Sequence, residues 1–215
     1  MFLRLAKVFL LTSWNAMEEC DARMRKLFFP VVAMLLCLVG CSSLRLTARK
    51  TERIMGMDSI TCSQMERFLL RNNPNVPHSY AHKLIATYEQ ECRHEGVRTS
   101  VAFVQMCLET GFLVFPPPSI VRPEQNNFCG LGVISNASYG LSFDSMRAGV
   151  RAHVQHLKAY ATTEATRRKN IDVRRRFVKL GCSPTVMGLS GTWAADPNYG
   201  RKLCNLLAVL REEKR

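Results

Sequence analysis

No Cys-x-x-Cys pair occurs among the nine cysteines of this chain, which argues against a zinc ribbon. The apolar run Leu27 to Val39 stops short of a comfortable membrane span. Acidic residues are scarce: 17 Asp and Glu face 30 Lys and Arg, for a net charge of +13. That balance favours an anionic partner, whether nucleic acid, an acidic membrane surface or an acidic wall polymer. The basic clusters Arg167-Arg168-Lys169 and Arg174-Arg175-Arg176 lack the interleaved aromatics that single-stranded nucleic acid would stack on. His78 and His82 stand four residues apart, but no glutamate motif accompanies them, so they read as exposed or structural side chains. Neither a metal nor a cofactor is expected.

What is present begins at the N-terminus. Met24-Arg25-Lys26 is a short basic segment, and Leu27 to Val39 has the length of a signal-peptide core. It ends in Leu38-Val39-Gly40-Cys41, which resembles the lipobox of bacterial lipoproteins, with cleavage before Cys41 and lipid on its thiol. Residues 1–23 look out of place before such a signal, so Met24 is read as the true start, the alternative being an unusually long basic leader, and residues 1–40 as the signal region. Residues 41–58 are basic and lack an amphipathic pattern, which reads as a lipidated tether. An exported protein anchored to the bacterial envelope is expected, and export argues against a nucleic-acid partner. Beyond Cys41 six cysteines remain, Cys62, Cys92, Cys107, Cys129, Cys182 and Cys204. An even count in an exported protein permits three disulfides, although Cys107 reads as a small buried hydrophobe.

The composition, 47% hydrophobic and 22% charged, allows one globular domain over 59–215. Ser63-Gln64-Met65-Glu66 has capping-box spacing, and a helix is expected to follow to about Asn72. A second helix should run from Ser79 to His94, stopped by Gly96. Asp144 or Ser145 can cap a helix to about Tyr160, with Val150, Val154, Leu157 and Ala161 as its core stripe and His153 and His156 packed beside it. A final helix should start near Asn198 or Tyr199.

The most informative helix lies between these. Thr99-Ser100 caps a segment in which Val101, Val104, Met106, Cys107 and Leu108 are apolar and Gln105 is the only polar residue before the end. Glu109 then stands in the last turn, ahead of Gly111. A carboxyl held on a rigid, apolar element is partly desolvated, which raises its pKa and suits a general acid near neutral pH. Two loops carry further candidates. Asn126-Asn127-Phe128-Cys129-Gly130-Leu131-Gly132 looks like backbone beside a cleft, and Leu131 to Phe143 could form at most a small hairpin. Trp193-Ala194-Ala195-Asp196-Pro197-Asn198-Tyr199-Gly200 offers a Trp and a Tyr suited to sugar rings.

Taken in order, Leu108-Glu109-Thr110-Gly111, Asn126 to Gly132, Gly149 to Ala161 and Trp193 to Gly200 resemble the bacterial glucosaminidase domain of the glycoside hydrolase 73 type. The resemblance covers roughly Ser79 to Leu210. It implies an α+β, mostly α, lysozyme-like fold with a groove between a helical lobe and a small β-lobe. It implies an endo-β-N-acetylglucosaminidase of peptidoglycan, with Glu109 as general acid and Tyr199 facing the cleft. Asn127, Phe128 and Trp193 are then substrate-binding residues.

Two departures qualify the match. No carboxylate lies between Gly132 and Phe143, where many relatives carry a second one; Asp144 reads as a cap, and Glu124 lies before Asn126. Assistance by the substrate's own N-acetyl group is a recognised exception to the two-carboxylate requirement. The run Phe115-Pro116-Pro117-Pro118 replaces an expected glycine-containing loop and could narrow the groove or reset which glycan fits. A lytic transglycosylase, which also needs one acid, and a non-catalytic glycan-binding envelope lipoprotein are the alternative readings.

Overall fold

The computed structural model describes residues 52–117, 120–133 and 139–213. The expected signal region 1–40, the expected lipid site Cys41 and the expected tether as far as residue 51 lie outside the described residues. Five α-helices carry the described chain: α1 Cys62–Asn72, α2 His78–Glu95, α3 Thr99–Thr110, α4 Met146–Ala161 and α5 Tyr199–Arg211. Short 3-10 turns lie at Pro123–Gln125, Arg175–Phe177 and Val186–Leu189. Strand-like contacts among the described residues are single bridges, Arg53 to Thr185, Met55 to Val97 and Ser190 to Ala194. The fold is mostly helical and of the lysozyme-like kind, as expected. The described part of 131–143 is closed on itself by the Leu141 amide donating to Leu131 at 2.8 Å.

Helix α3 is the centre. It contacts each of the other four helices, and Val101, Ala102, Phe103, Val104, Met106 and Cys107 are fully buried. A helix apolar on all sides is stable only when enclosed in this way. Around it pack Leu84, Ile85 and Tyr88 of α2, Val150, Val154 and Leu157 of α4, and Leu203 and Leu207 of α5. Gly111, at φ 56, ends α3 in the left-handed conformation, and its N–H returns to Cys107.

The chain joins this domain before Ser59. Ile54 is fully buried, its amide donates to Pro184 at 3.2 Å, and its carbonyl accepts from Arg98 at 2.9 Å. Asp58 supplies the cap that Thr99-Ser100 was expected to provide: its carboxylate accepts from the Ser100 amide at 2.5 Å. A carboxylate at a helix N-terminus satisfies an orphan amide and meets the positive end of the dipole. The capping box of α1 also sits earlier than expected. Thr61 accepts from the Gln64 amide at 3.2 Å, and the Gln64 side chain accepts from the Thr61 amide at 3.0 Å. Gln64 further donates to the carbonyl of Glu213 at 2.9 Å, which ties this box to the end of the chain.

Helix α4 is fastened to α2 by buried ions. Lys158 reaches Glu95 at 3.0 Å, both fully buried, and Glu91 takes Arg147, Arg151 and Arg168 at 3.0 to 3.3 Å. The amides of Arg167 and Arg168 also donate to Glu95. The first basic cluster is thereby partly structural. The six cysteines beyond Cys41 are all free thiols, so the permitted disulfides do not form. Cys92 and Cys107 are small core residues, and burial pushes both thiols well up from their ordinary range. The exposed pair His78 and His82 faces Glu66, at 3.9 and 3.3 Å.

Candidate active site

A groove of about 520 Å³ opens beside the C-terminal end of α3. Glu109 stands on its wall because α3 ends there, held by Gly111. Trp193 comes from the turn that follows Val186–Leu189, and Tyr199 is the first residue of α5. The Trp193 indole N–H donates to Glu109 Oε1 at 2.9 Å. The Tyr199 hydroxyl donates to the same oxygen. Oε2 has no hydrogen bond to a described residue, which leaves it for a ligand in the groove.

Burial raises the Glu109 carboxyl above its ordinary value, while the Tyr199 and Trp193 hydrogen bonds pull it part of the way back. Burial, with the neighbouring Glu109 charge, pushes the Tyr199 phenol far above its ordinary range, so Tyr199 keeps its proton and donates it. Three residues expected from sequence to share a site, Glu109, Trp193 and Tyr199, are thus joined by direct hydrogen bonds.

Asn127 also lines the groove, but its side chain is consumed within its own loop. Its amide donates to the carbonyls of Leu131 and Leu141, both at 2.9 Å, and its oxygen accepts from the Leu131 amide at 2.9 Å. It shapes the backbone that faces the groove. Helix α4 supports that backbone closely: a Cβ on Gly149 would lie 1.7 Å from the Asn126 carbonyl oxygen, so only glycine fits. Phe128 corrects the expectation outright. It is 1% exposed, packs edge-on to Tyr88 with ring centroids 6.3 Å apart, and does not reach the groove. An aromatic between turn residues can fold either way, and here the core beside α2 takes it.

Phe115 is the aromatic that reaches the groove from the proline-rich loop. That loop carries strain, with Phe112, Leu113 and Phe115 at φ 58, 66 and 51. Non-glycine residues seldom hold such angles unless their surroundings impose them. Here the Phe112 amide donates to Cys107, the Leu113 amide to the Thr110 hydroxyl and the Phe115 amide to Thr110, at 2.7 to 2.9 Å.

Further lining residues come from α4 and from the second basic cluster. His156 and Tyr160 of α4 sit against the Trp193 ring, with centroids 5.1 and 5.2 Å away, and fix its plane. Asp172, almost fully buried, accepts from His156 Nδ1 at 2.8 Å and orients that imidazole. Arg174 brings one member of the second basic cluster to the groove, its guanidinium 4.3 Å from the Phe177 ring centre. Among the described lining residues Glu109 is the only carboxylate. Asp144 is exposed and away from the groove, with Ser145 acting as the α4 cap, and Glu124 lines a separate cavity beside Tyr80 and Phe115.

The arrangement can deliver a proton from a desolvated acid to a group bound between aromatic walls. Comparison with known proteins bears on which group. A family model described as Glucosaminidase, mannosyl-glycoprotein endo-beta-N-acetylglucosaminidase, matches residues 79–212. A protein of Borreliella burgdorferi, described as uncharacterized, is 40% identical over 146 residues, which covers 68% of this chain and 71% of that protein.

Proposed function

This chain belongs to the glucosaminidase family of glycoside hydrolases, and from that premise we propose that it cleaves the glycan strand of peptidoglycan after N-acetylglucosamine, with Glu109 as general acid. The observation that carries the reading is the double donation of Trp193 and Tyr199 to one oxygen of a mostly buried carboxyl. With Oε1 occupied as an acceptor, the acid proton sits on Oε2, the oxygen open to the groove.

The first step moves that proton from Oε2 to the glycosidic oxygen as its bond to C1 breaks. Burial keeps the carboxyl protonated to a higher pH than an exposed glutamate would be, and a pKa raised toward the working pH improves a general acid. The Tyr199 and Trp193 donors then stabilise the carboxylate left behind. Charge-assisted hydrogen bonds of this kind are shorter and stronger than neutral ones.

With no second carboxylate among the described lining residues, the nucleophile in this reading is the substrate's N-acetyl oxygen. It bonds to C1 as the leaving group departs. Water then attacks C1, the acetamide is restored, and the proton lost by the water returns to Glu109. Trp193, Tyr160 and Phe115 supply the aromatic walls against which sugar rings would pack.

The proposed setting is the bacterial envelope, with the chain exported and held to a membrane through lipid on Cys41. That part rests on Leu38-Val39-Gly40-Cys41 and the apolar run before it. Stable anchoring takes more than one acyl chain. The test of the reaction is mass spectrometry of a peptidoglycan digest, in which new reducing N-acetylglucosamine ends are expected. Anhydromuramic ends would instead identify a lytic transglycosylase, which a single acid also serves. Binding to peptidoglycan without turnover at any pH would identify a glycan-binding protein.

A further inference from the structure

Resting on the reading of Glu109 as the acid, we propose that Tyr88, His153 and Gln105 form a positioning relay that fixes the direction in which Tyr199 gives its proton, namely onto Glu109. Four hydrogen bonds run in series through the core. Tyr88 Oη meets His153 Nδ1 at 2.8 Å, and His153 Nε2 meets Gln105 Oε1 at 3.1 Å. Gln105 Nε2 meets the Tyr199 hydroxyl at 3.0 Å, and that hydroxyl meets Glu109 Oε1. Tyr88, His153 and Gln105 are all fully buried, so water does not complete their hydrogen bonding.

Such a chain could point either way. A histidine has two tautomers, and an amide can turn over to exchange its donor and acceptor. In the reverse sense, His153 would donate to Tyr88, and the Gln105 oxygen would face Tyr199 and draw its proton away from Glu109. Tyr88 decides between them. Among the described residues its hydroxyl has one hydrogen-bond partner, His153 Nδ1. In the forward sense the Tyr88 proton is used; in the reverse sense it is buried without an acceptor, at the full desolvation cost of an unpaired donor.

Each link then follows from the one before. Tyr88 donates to Nδ1, so the ring proton of His153 is on Nε2. Nε2–H requires the carbonyl end of Gln105. The amide N–H2 of Gln105 therefore faces Tyr199 and donates to its oxygen, leaving the Tyr199 proton directed at Glu109. The chemistry agrees with the geometry. Burial, with a smaller contribution from His156, holds the His153 imidazole down to about 3, so one ring nitrogen stays free to accept. Burial, with the nearby cysteine thiols, keeps the Tyr88 phenol well above its ordinary value and protonated. The Trp193 ring lies 6.0 Å from His153 by centroids, so the relay also backs the second donor.

Two measurements test the relay. Nitrogen NMR of the parent protein carrying labelled histidine reads the tautomer without any turnover. Expected is a His153 with Nε2 protonated and Nδ1 bare throughout the neutral range; a His153 protonated on Nδ1 overturns the proposal. The second measurement is a cycle with Tyr88→Phe, which keeps the ring and removes the end-stop. Tyr88→Phe is expected to mix the His153 tautomers and to lower kcat by about tenfold, the scale of one misdirected hydrogen bond. In the Tyr199→Phe background the same change should have no further effect on kcat, because the relay acts through that hydroxyl. An equal loss in both backgrounds, or an unmoved kcat with Tyr199 present, contradicts it. If Glu109→Gln kept full activity, the acid assignment would fail while the tautomer result still stood on its own.

Discussion

Trp193 and Tyr199 give their protons to the same oxygen of Glu109, one from a loop and one from the start of α5. Two donors on one oxygen favour the ionised carboxyl, whereas burial favours the neutral one, and burial is the larger effect. The acid therefore sits above its ordinary range but below where burial alone would put it. Activity should fall on the alkaline side as pH rises through that raised pKa. Trp193→Phe removes one donor to the anion. Its alkaline limb is expected to move upward by about one pH unit, the shift for a bond worth about 1.4 kcal/mol. A kcat profile against pH for parent and variant reads this directly, and a limb that moves downward contradicts it.

His153 makes the fold sensitive to acid. Its folded pKa is depressed to about 3 from an ordinary 6.5. Between those values the unfolded chain binds a proton that the folded chain does not, so stability rises with pH across that window. The contribution is present above about pH 6.5 and is lost as pH falls toward 3, at about 1.4 kcal/mol per pH unit. Denaturant unfolding at several pH values should show a slope for the parent that is shallower by this amount in His153→Phe.

Lys158 and Glu95 were not legible as partners from the sequence, although each is fully buried. Lys158→Met removes one charge and leaves Glu95 with only neutral donors. A loss of about 3 to 5 kcal/mol is expected on breaking such a pair from one side. Urea unfolding checks it, and a variant within about 0.5 kcal/mol of the parent would show that the pair is not fastening α2 to α4.

Local signals in the sequence were readable where a residue acts on its own neighbourhood. Gly96 and Gly111 end α2 and α3 as expected, and Glu109 takes the last turn of an apolar helix. The meeting of Glu109, Trp193 and Tyr199 came from the order of motifs along the chain, since no periodicity relates residues 84 and 90 positions apart. Asp58 as the cap of α3 was hidden for the same reason, its partner being 42 residues away. Phe128 was misplaced because an aromatic flanked by Asn127 and Cys129 in a turn-rich segment serves a groove or a core equally well. Gln105 did leave a signal, as the lone polar residue in an apolar helix four positions before Glu109. A buried amide must be hydrogen-bonded, and its partners are the relay.

Arg174 lines the groove, and among the described residues its guanidinium pairs with no carboxylate. A cation in that position favours a glycan that carries negative charge over a neutral one. Arg174→Gln is expected to lower kcat/KM on carboxylate-bearing peptidoglycan about three- to tenfold at low salt, and much less at high salt where the charge is screened. Neutral oligomers of N-acetylglucosamine should be cleaved by parent and variant alike. Equal losses on both substrates would show that Arg174 holds the groove's shape and does not select charge.

The central claim is that Glu109 is the acid, and Glu109→Gln tests it most directly. Because the folded pKa of Glu109 is raised, the stability this carboxyl contributes is present below its unfolded pKa and lost as pH rises through the folded one. The Gln variant escapes that loss, so at neutral pH it should unfold at a temperature no lower than the parent. Its rate of releasing reducing ends from purified peptidoglycan should fall by about a hundredfold to ten-thousandfold, the range that protonation by a positioned general acid contributes. A folded Glu109→Gln protein that releases reducing ends at the parent's rate would contradict the account.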